Sequence, residues 1–323
     1  MTKITARDWF KKRPWIDDPY ASIDDYVATE APCKDYDLKK QLEHWRDHGI
    51  VIFENAVDTA TIDALLSDID HLVHHPTEFE ITVETRGELH RPIKEVTTTE
   101  LLDRDRLKIN NLHFISKAAL RCALNRYIGS FLQHVFKDNP CILQSLFFVK
   151  GSQQPIHLDY PYVRCQQHIA NLAASWVALE DVHEDSGPLE YYCGSHAPEK
   201  MPFFDWGNGS ILMENDSKRE PQEFSNYLAD RVKKLGIKPR VFLPKKGDLL
   251  IWHGYLAHAG TTINDATRTR KSYVTHYTSK NSYPSLHKHK DADEQGKLYS
   301  ENGAIYYDAP WTQGWKMLPS WNA

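Results

Sequence analysis

The chain has 323 residues, 41% of them hydrophobic and 26% charged, which is typical of a globular protein with one sizeable core. Its formal net charge of -5 excludes the basic surface of a nucleic-acid-binding protein, and no apolar run approaches the ~20 residues of a membrane span. The N-terminus lacks the apolar stretch of a signal peptide, so a cytoplasmic location is expected.

The first part of the chain is predicted to be helical after an irregular start. Residues 1–35 are rich in proline, aspartate and aromatic residues without a clear period, which predicts an irregular arm. Apolar residues at helical spacing then predict a helix from Asp37 to His48, closed by Gly49. The same spacing predicts a second helix from Asp58 to His74 and a third over residues 117–137.

The second part of the chain is predicted to be mainly strands. From residue 142 to about residue 280 the hydrophobic period is that of strands, interrupted by an inserted helix at residues 221–235. Helices followed by a run of strands predict an α+β fold, with residues 36–280 as a single domain. The tail, residues 281–323, contains Trp311, Trp315 and Trp321, so we expect it to dock on the body.

His157-Leu158-Asp159, followed much later by His258, is the strongest indication of chemistry in the sequence. Alternate residues of a strand point to the same side, so His157 and Asp159 can bind one ion while Leu158 packs behind them. Two histidines and one carboxylate form a facial triad on Fe(II), which leaves positions open for a co-substrate and dioxygen. The pattern therefore predicts that His157, Asp159 and His258 are catalytic metal ligands.

The chain also resembles the phytanoyl-CoA dioxygenase family of Fe(II)/2-oxoglutarate-dependent oxygenases over about residues 40 to 280. The resemblance rests on sequence blocks that occur in the family's order: Lys108-Ile109-Asn110-Asn111, His157-Leu158-Asp159, Trp176 to Asp181, Ser186 to Glu190, Gly194-Ser195-His196, Gly247 to His258, Asn264 and Arg270. It implies a double-stranded β-helix, or jelly roll, with helices packed on one sheet. It also implies Fe(II) as cofactor, 2-oxoglutarate as co-substrate and dioxygen as oxidant.

The resemblance implies that Arg270 binds the far carboxylate of 2-oxoglutarate. A planar guanidinium that stays charged can donate two hydrogen bonds to a carboxylate, which suits this role. Arg268 lies at nearly the same spacing from His258 and is the alternative. We prefer Arg270 because it directly precedes the predicted strand that begins at Ser272 and should line the pocket.

Three further positions match family residues near the co-substrate. Lys108 corresponds to a lysine that meets the keto acid, and a solvated surface lysine is the simpler explanation. Trp176 corresponds to an aromatic residue beside the keto acid, and ordinary strand core is its simpler explanation. Gln144 falls where the family contacts co-substrate or substrate, and strand alternation places it on the same side as Leu146 and Phe148.

Two other histidines lie close to the predicted site in the sequence. His253 lies five residues before His258, but it falls inside the predicted strand, and the family's distal histidine matches His258 better. His276 is expected near the pocket, where it either contacts substrate or, more simply, belongs to the core.

These features predict a dioxygenase that releases succinate and CO2 from 2-oxoglutarate and hydroxylates, or otherwise oxidises at an unactivated carbon, a small organic substrate. Aromatic and hydrogen-bonding residues at the expected pocket edge favour a polar or amphipathic substrate: Gln144, Tyr160, Tyr162, His168 and Trp252. Chlorinating relatives have Gly or Ala in place of the carboxylate ligand, so Asp159 implies oxidation without chlorination. No nucleic-acid partner is expected.

Two functions from other classes use the same three ligands or the same fold. A cupin-like zinc hydrolase would activate a bound water as nucleophile, but it would have no use for an arginine facing the metal. A catalytically silent jelly-roll binding protein would be expected to have lost a metal ligand, and all three are present.

Overall fold

The computed structural model describes residues 3–85, 88–103, 107–165, 169–284, 298–308, 312 and 314–321. The helices are α1 (Ala6–Lys11), α2 (Ile23–Thr29), α3 (Leu38–His48), α4 (Thr59–His74), α5 (Thr98–Asp103), α6 (Lys117–Ala123), α7 (Arg126–Phe136) and α8 (Pro221–Lys234). The strands are β1 (Ile50–Phe53), β2 (Thr82–Thr85), β3 (Glu88–Pro92), β4 (Lys108–Asn110), β5 (Pro140–Phe148), β6 (Leu172–Ala178), β7 (Leu189–Tyr191), β8 (Arg240–Phe242), β9 (Leu249–His253), β10 (His258–Gly260), β11 (Ser272–Ser279), β12 (Leu298–Glu301) and β13 (Ala304–Tyr307). In these ranges no helix is both long and apolar enough to cross a lipid bilayer.

The described strands form a large sheet of ten strands and a small sheet of three. The large sheet has the order β1-β9-β6-β11-β5-β4-β2-β3, with β13 joined to β5 and β12 to β13. The small sheet has the order β10-β7-β8. Neighbouring strands are antiparallel except at the contact between β13 and β5. A large antiparallel sheet with a helical layer confirms the predicted α+β class and is the arrangement of a jelly roll.

The central strands β6, β9 and β11 are buried along their whole length because both faces of the large sheet are covered. On one face, Tyr273 and Tyr277 of β11 pack with the helices in the main core. On the other face, Trp176, Trp252 and Val274 pack with residues of the small sheet. We call this second side the inner face. The two-residue period of a strand assigns alternate side chains of β11 to the two layers.

Most helices begin and end close to the predicted residues. Asp37 caps α3 with its side chain, and Gly49 ends the helix in the left-handed conformation, with φ of 76°. The inserted helix predicted at residues 221–235 is present as α8. The single helix predicted over residues 117–137 is wrong, because Asn125 adopts an extended backbone and caps a separate second helix, α7.

The N-terminal segment is not irregular, as residues 1–35 were expected to be, but contains α1 and α2. The Asp8 carboxylate accepts a hydrogen bond from the Thr5 N–H at 2.9 Å, and the Ser22 side chain caps α2. These helices have six and seven residues, about two turns each. Helices this short show too few apolar repeats for their period to be recognised in the sequence.

The described part of the C-terminal segment contacts the helical layer. Leu318 is fully buried, and Trp315 and Trp321 pack against the main core. Trp311, the third tryptophan of the predicted docking segment, lies outside the described residues.

A buried carboxylate on α4 is bonded to this C-terminal segment. Asp68 is 1% exposed and accepts hydrogen bonds from the Ser320 N–H at 3.0 Å and from the Ser320 hydroxyl. The Ser116 hydroxyl donates to the same carboxylate at 2.6 Å. Three buried donors, two hydroxyls and one backbone N–H, therefore depend on the Asp68 carboxylate for their acceptor.

We expect Asp68→Ala to lower the free energy of unfolding by about 2–3 kcal/mol, since it leaves buried donors without an acceptor. Asp70 lies two residues after Asp68 on the same helix, and its side chain is 73% exposed. Asp70→Ala is therefore the control and should change stability little. Urea unfolding of both variants measures the difference. Equal stability of the two variants would contradict a structural role for the Asp68 network.

Candidate metal centre

His157, Asp159 and His258 come together at the inner face, where their candidate ligand atoms all lie within 4.8 Å of one another. The two histidines form an isolated antiparallel bridge, in which each backbone N–H donates to the other's carbonyl, at 2.9 and 3.1 Å. Asp159 is not in a regular strand, contrary to expectation, because its N–H instead donates to the carbonyl of Gly254 at 3.2 Å. Backbone pairing therefore ends after His157, yet the side chains of His157, Asp159 and His258 still converge.

Both imidazoles are oriented as metal ligands usually are. His157 Nδ1 lies 2.8 Å from the carbonyl of Pro155, and His258 Nδ1 lies 2.9 Å from the carbonyl of Leu256. A carbonyl oxygen only accepts, so each Nδ1 carries the proton and each Nε2 has a free lone pair. A backbone carbonyl that fixes the tautomer in this way is the common second partner of a metal-ligating histidine.

The protonation states also suit a divalent metal. Burial lowers the pKa of His157 to about 3, which keeps its imidazole neutral. Burial alone would raise the pKa of Asp159, but the charges that His258 and His276 carry when protonated lower it below its usual range. Metal binding requires neutral imidazoles and ionised carboxylates, and the direction of both pKa shifts, at His157 and at Asp159, favours those forms.

Two inner-face side chains contact the second oxygen of Asp159. The Trp252 indole N–H donates to Asp159 Oδ2 at 2.8 Å in a buried hydrogen bond. His276 Nε2 lies 3.5 Å from the same oxygen. The first oxygen, Oδ1, lies 3.6 Å from His258 Nε2 and is on the side of the other two ligands.

The cluster opens into a cavity of about 190 Å³ between the inner face and the small sheet. Its walls include all the residues predicted for the site: Lys108, Gln144, His157, Asp159, Trp176, His258 and Arg270. As strand alternation predicts, Gln144, Leu146 and Phe148 of β5 line the same cavity. His168, which was expected at the pocket edge, lies outside the described residues.

Arg270 is a buried cation in this cavity. It is 2% exposed, its guanidinium lies 5.5 Å from the ring centroid of Trp176, and its Nη1 donates to the Gly187 carbonyl at 3.2 Å. Its Nε has no hydrogen-bond partner, and no carboxylate of the described residues forms an ion pair with it. Burial lowers the pKa of Arg270 to about 10, which leaves it charged at neutral pH. Arg268, the alternative, is exposed and pairs with Asp265 at 3.0 Å.

The Gly187 carbonyl reaches Arg270 because two glycines approach each other closely. Gly187 has a φ of +73°, and a Cβ there would lie 2.7 Å from Ile263 Cγ1. A Cβ on Gly151 would lie 2.4 Å from the Gly187 oxygen. Both distances are too short for a side chain, so this close approach requires glycine at position 151 and at position 187.

The other predicted co-substrate residues already have protein partners. Lys108 Nζ forms an ion pair with Glu84 at 2.6 Å, directly across the pairing of β4 with β2. Gln144 Nε2 lies 3.3 Å from His276 Nδ1. Trp176 packs against Phe242 in addition to Arg270. Contact of these three with a co-substrate stays a prediction.

Sequence reasoning did not find the contacts of Trp252 and His276 with Asp159. Trp252 was expected only at the pocket edge, and core packing was preferred for His276. Alternation along β11 offered a signal, because it places His276 on the same side of the strand as Val274 and as Ser272, the first residue of the strand. His253 is not near the cluster's ligand atoms, since its Nε2 donates to Asp17 at 3.1 Å.

The sequence matches the phytanoyl-CoA dioxygenase family over residues 45–271. The chain belongs to this family. Among curated relatives, the phytanoyl-CoA dioxygenase domain-containing protein 1 homolog of Caenorhabditis elegans is 21% identical and the match covers 75% of this chain and 90% of that protein. The corresponding homolog of Caenorhabditis briggsae is also 21% identical, over 53% of this chain and 58% of that protein.

Solved structures with the same fold include EctD and SnoN. EctD from S. alaskensis, crystallised with 2-oxoglutarate and 5-hydroxyectoine, has a TM-score of 0.55 at 15% identity and covers 84% of each chain. The non-heme alpha ketoglutarate dependent epimerase SnoN from nogalamycin biosynthesis has a TM-score of 0.53 at 17% identity, covering 75% of this chain and 83% of SnoN. At these identities the likeness shows the jelly-roll fold alone.

We expect His157→Ala and His258→Ala each to abolish retention of Fe(II), because each removes one of three ligands whose atoms already converge. His74→Ala is the control, because His74 is an exposed histidine on α4 whose loss should leave iron binding unchanged. Anaerobic titration with Fe(II) measures retention, and circular dichroism checks the fold. A variant that still bound one equivalent of Fe(II) would show that its histidine is not a ligand.

Proposed function

We propose that the protein is an Fe(II)/2-oxoglutarate-dependent dioxygenase that hydroxylates, or otherwise oxidises at an unactivated carbon, a small organic substrate. The observation that carries this proposal is a buried arginine, without a carboxylate partner among the described residues, in the same cavity as a His-Asp-His cluster. An oxygenase of this class needs both features at once, one for the metal and one for the far carboxylate of the keto acid.

His157, Asp159 and His258 would hold the iron, through the two Nε2 atoms and one carboxylate oxygen. When bound, iron couples the oxidative decarboxylation of 2-oxoglutarate to the oxidation of a substrate C–H bond. The protein's residues orient the ligands: the carbonyls of Pro155 and Leu256 hold the imidazoles by their Nδ1–H groups. Three protein ligands leave positions for co-substrate and dioxygen.

Arg270 would bind the far carboxylate of 2-oxoglutarate. A buried cation without a counter-ion is unfavourable, and an incoming carboxylate removes that cost while forming charge-assisted hydrogen bonds. The ring of Trp176 lies beside the guanidinium, and Arg270 itself is buried, so water has little access to the pair. The crystallised complex of EctD with 2-oxoglutarate, in a protein of the same fold, is consistent with this assignment.

Arg270 also separates the proposal from the other two classes. A zinc hydrolase would need an open position for water beside the metal, but it would gain nothing from a desolvated arginine in the cavity. A silent binding protein would not need two imidazoles with fixed tautomers and a carboxylate within 4.8 Å of one another.

We infer that the organic substrate enters through a second cavity of about 340 Å³ that adjoins the first. The two cavities share four lining residues: Lys108, Phe148, Ser152 and Gln154. The second cavity combines the Glu84–Lys108 ion pair and exposed glutamines with the apolar Leu107. This mixture favours a small molecule that is polar or amphipathic.

Arg270→Ala should raise the concentration of 2-oxoglutarate needed for half-saturation on the order of thirty- to a thousandfold, equivalent to about 2–4 kcal/mol for a desolvated carboxylate without its partner. Arg268→Ala is the matched control and should change it little, because that side chain lies outside the cavity, paired with Asp265. Isothermal titration of 2-oxoglutarate into the metal-loaded protein measures both. The reverse order of effects would assign the carboxylate to Arg268.

The proposed class has a spectroscopic test. Anaerobic addition of Fe(II) and 2-oxoglutarate should produce a weak visible charge-transfer band, because the keto acid chelates the metal. Admission of air should then lead to release of succinate. In a screen of polar and amphipathic small molecules, the substrate should be the compound that increases the rate of this release. His258→Ala serves as the control that lacks the band. Metal binding without band or succinate, together with hydrolytic activity of the zinc form, would support the hydrolase instead.

A further inference from the structure

The carboxylate of Asp159 has two oxygens with different surroundings. Oδ1 lies 3.6 Å from His258 Nε2, on the side where the three ligands converge. Oδ2 accepts the Trp252 indole N–H at 2.8 Å and has His276 Nε2 at 3.5 Å. Both side chains come from the inner face of the large sheet, and Trp252, which donates the hydrogen bond, is 3% exposed, so its ring is held by packing on all sides.

This asymmetry matters because a carboxylate can bind a metal through one oxygen or through both. An Asp159 that chelated through both oxygens would occupy a fourth coordination position. The keto acid needs two positions and dioxygen one, so a six-coordinate ion with three protein ligands has none to spare. A hydrogen bond from a rigid donor to Oδ2 holds that oxygen away from the ion.

We propose that Trp252 is a positioning residue that restricts Asp159 to one-oxygen coordination of the metal. This inference rests on the proposed function, and it assigns to Trp252 a role that packing alone would not require. The indole N–H is the part of the side chain that acts, since it is the only donor of the ring and it points at Oδ2. Outer-shell donors of this kind tune metal affinity as strongly as some ligands do.

Trp252→Phe removes the N–H while keeping an aromatic ring. Trp45→Phe is the matched control, because Trp45 is fully buried and its indole N–H has no hydrogen-bond partner among the described residues. The probe is Co(II), titrated into the metal-free protein by calorimetry. We expect Trp252→Phe to raise the Kd of Co(II) roughly ten- to a hundredfold, because the carboxylate loses the hydrogen bond that orients Oδ1 toward the other two ligands before the metal binds. We expect Trp45→Phe to leave it unchanged, with thermal unfolding of both metal-free variants as the check on folding.

A cycle with Asp159→Asn tests whether Trp252 acts through the carboxylate, because asparagine keeps one oxygen as a ligand but has an NH2 group that cannot accept the indole N–H. If Trp252 acts in this way, Trp252→Phe weakens Co(II) binding in the wild-type background and has no further effect once Asp159 is asparagine. The same loss in both backgrounds would mean that packing, not the hydrogen bond, is responsible, and would overturn the proposal. A wild-type Kd in Trp252→Phe would overturn it as well.

Infrared difference spectra on Co(II) binding supply a second readout, which reports on the carboxylate itself. The Asp159 bands are identified by their loss in Asp159→Asn, which keeps an oxygen ligand but has no carboxylate. We expect the wild-type protein to show the wide separation of carboxylate stretching bands that one-oxygen coordination produces, and Trp252→Phe to show a narrower one. A narrow separation in the wild-type protein would refute the inference while leaving the proposed function intact. Failure of the wild-type protein to bind Co(II) would instead refute the proposed function.

Discussion

The candidate metal centre depends on one piece of backbone pairing, the bridge between His157 and His258. Two reciprocal hydrogen bonds join these residues, and the ring centroids lie 4.2 Å apart as a result. Neither residue belongs to a long ladder of paired strands. β10 has three residues, and the bridge between His157 and His258 is isolated from the regular strand pairing. The carbonyl of Gly254, in the turn that leads into β10, then accepts from Asp159. One short stretch of chain therefore aligns all three side chains.

Burial of the large sheet on both faces explains why polar residues of the inner face carry the chemistry. A polar group in such a layer must be paired or must meet a ligand, because leaving it without a partner is costly. Gln144, His276 and Trp252 are paired to each other or to Asp159. Among the described residues, Arg270 contacts a carbonyl and an aromatic face but no carboxylate. Its charge beside the cluster is therefore not neutralised there, which favours an anionic ligand.

Much of this arrangement could be predicted from the sequence, and the reasons are local. Strand alternation was enough to place Gln144 with Leu146 and Phe148, and the position of Arg270 directly before the predicted strand at Ser272 was enough to prefer it to Arg268. These predictions need only the period of one strand.

Other contacts depend on register and angle between distant strands, which no local pattern contains. The ion pair of Lys108 with Glu84 exists because β2 and β4 pair in one particular register. The hydrogen bond from Trp252 to Asp159 needs the indole of β9 to reach a loop that is not part of any strand. The break between α6 and α7 was missed for a different reason, since apolar spacing continues across Asn125 although the backbone does not.

The N-terminal arm supports the metal centre from outside the region that matches the family. Trp9 of α1 packs against Tyr255 with ring centroids 5.7 Å apart, and Tyr255 stacks on Tyr160 at 4.8 Å. Tyr160 directly follows Asp159, so this aromatic series ends at a candidate metal ligand.

A hydrogen bond adds to this packing. The Asp17 carboxylate accepts the N–H of His253 Nε2 in a buried pair. His253 Nδ1 in turn accepts the Tyr255 N–H at 2.9 Å, which shows that Nε2 carries the ring proton. The arm therefore braces the turn between β9 and β10 by packing and by a charged hydrogen bond, and that turn determines where His258 and Asp159 lie.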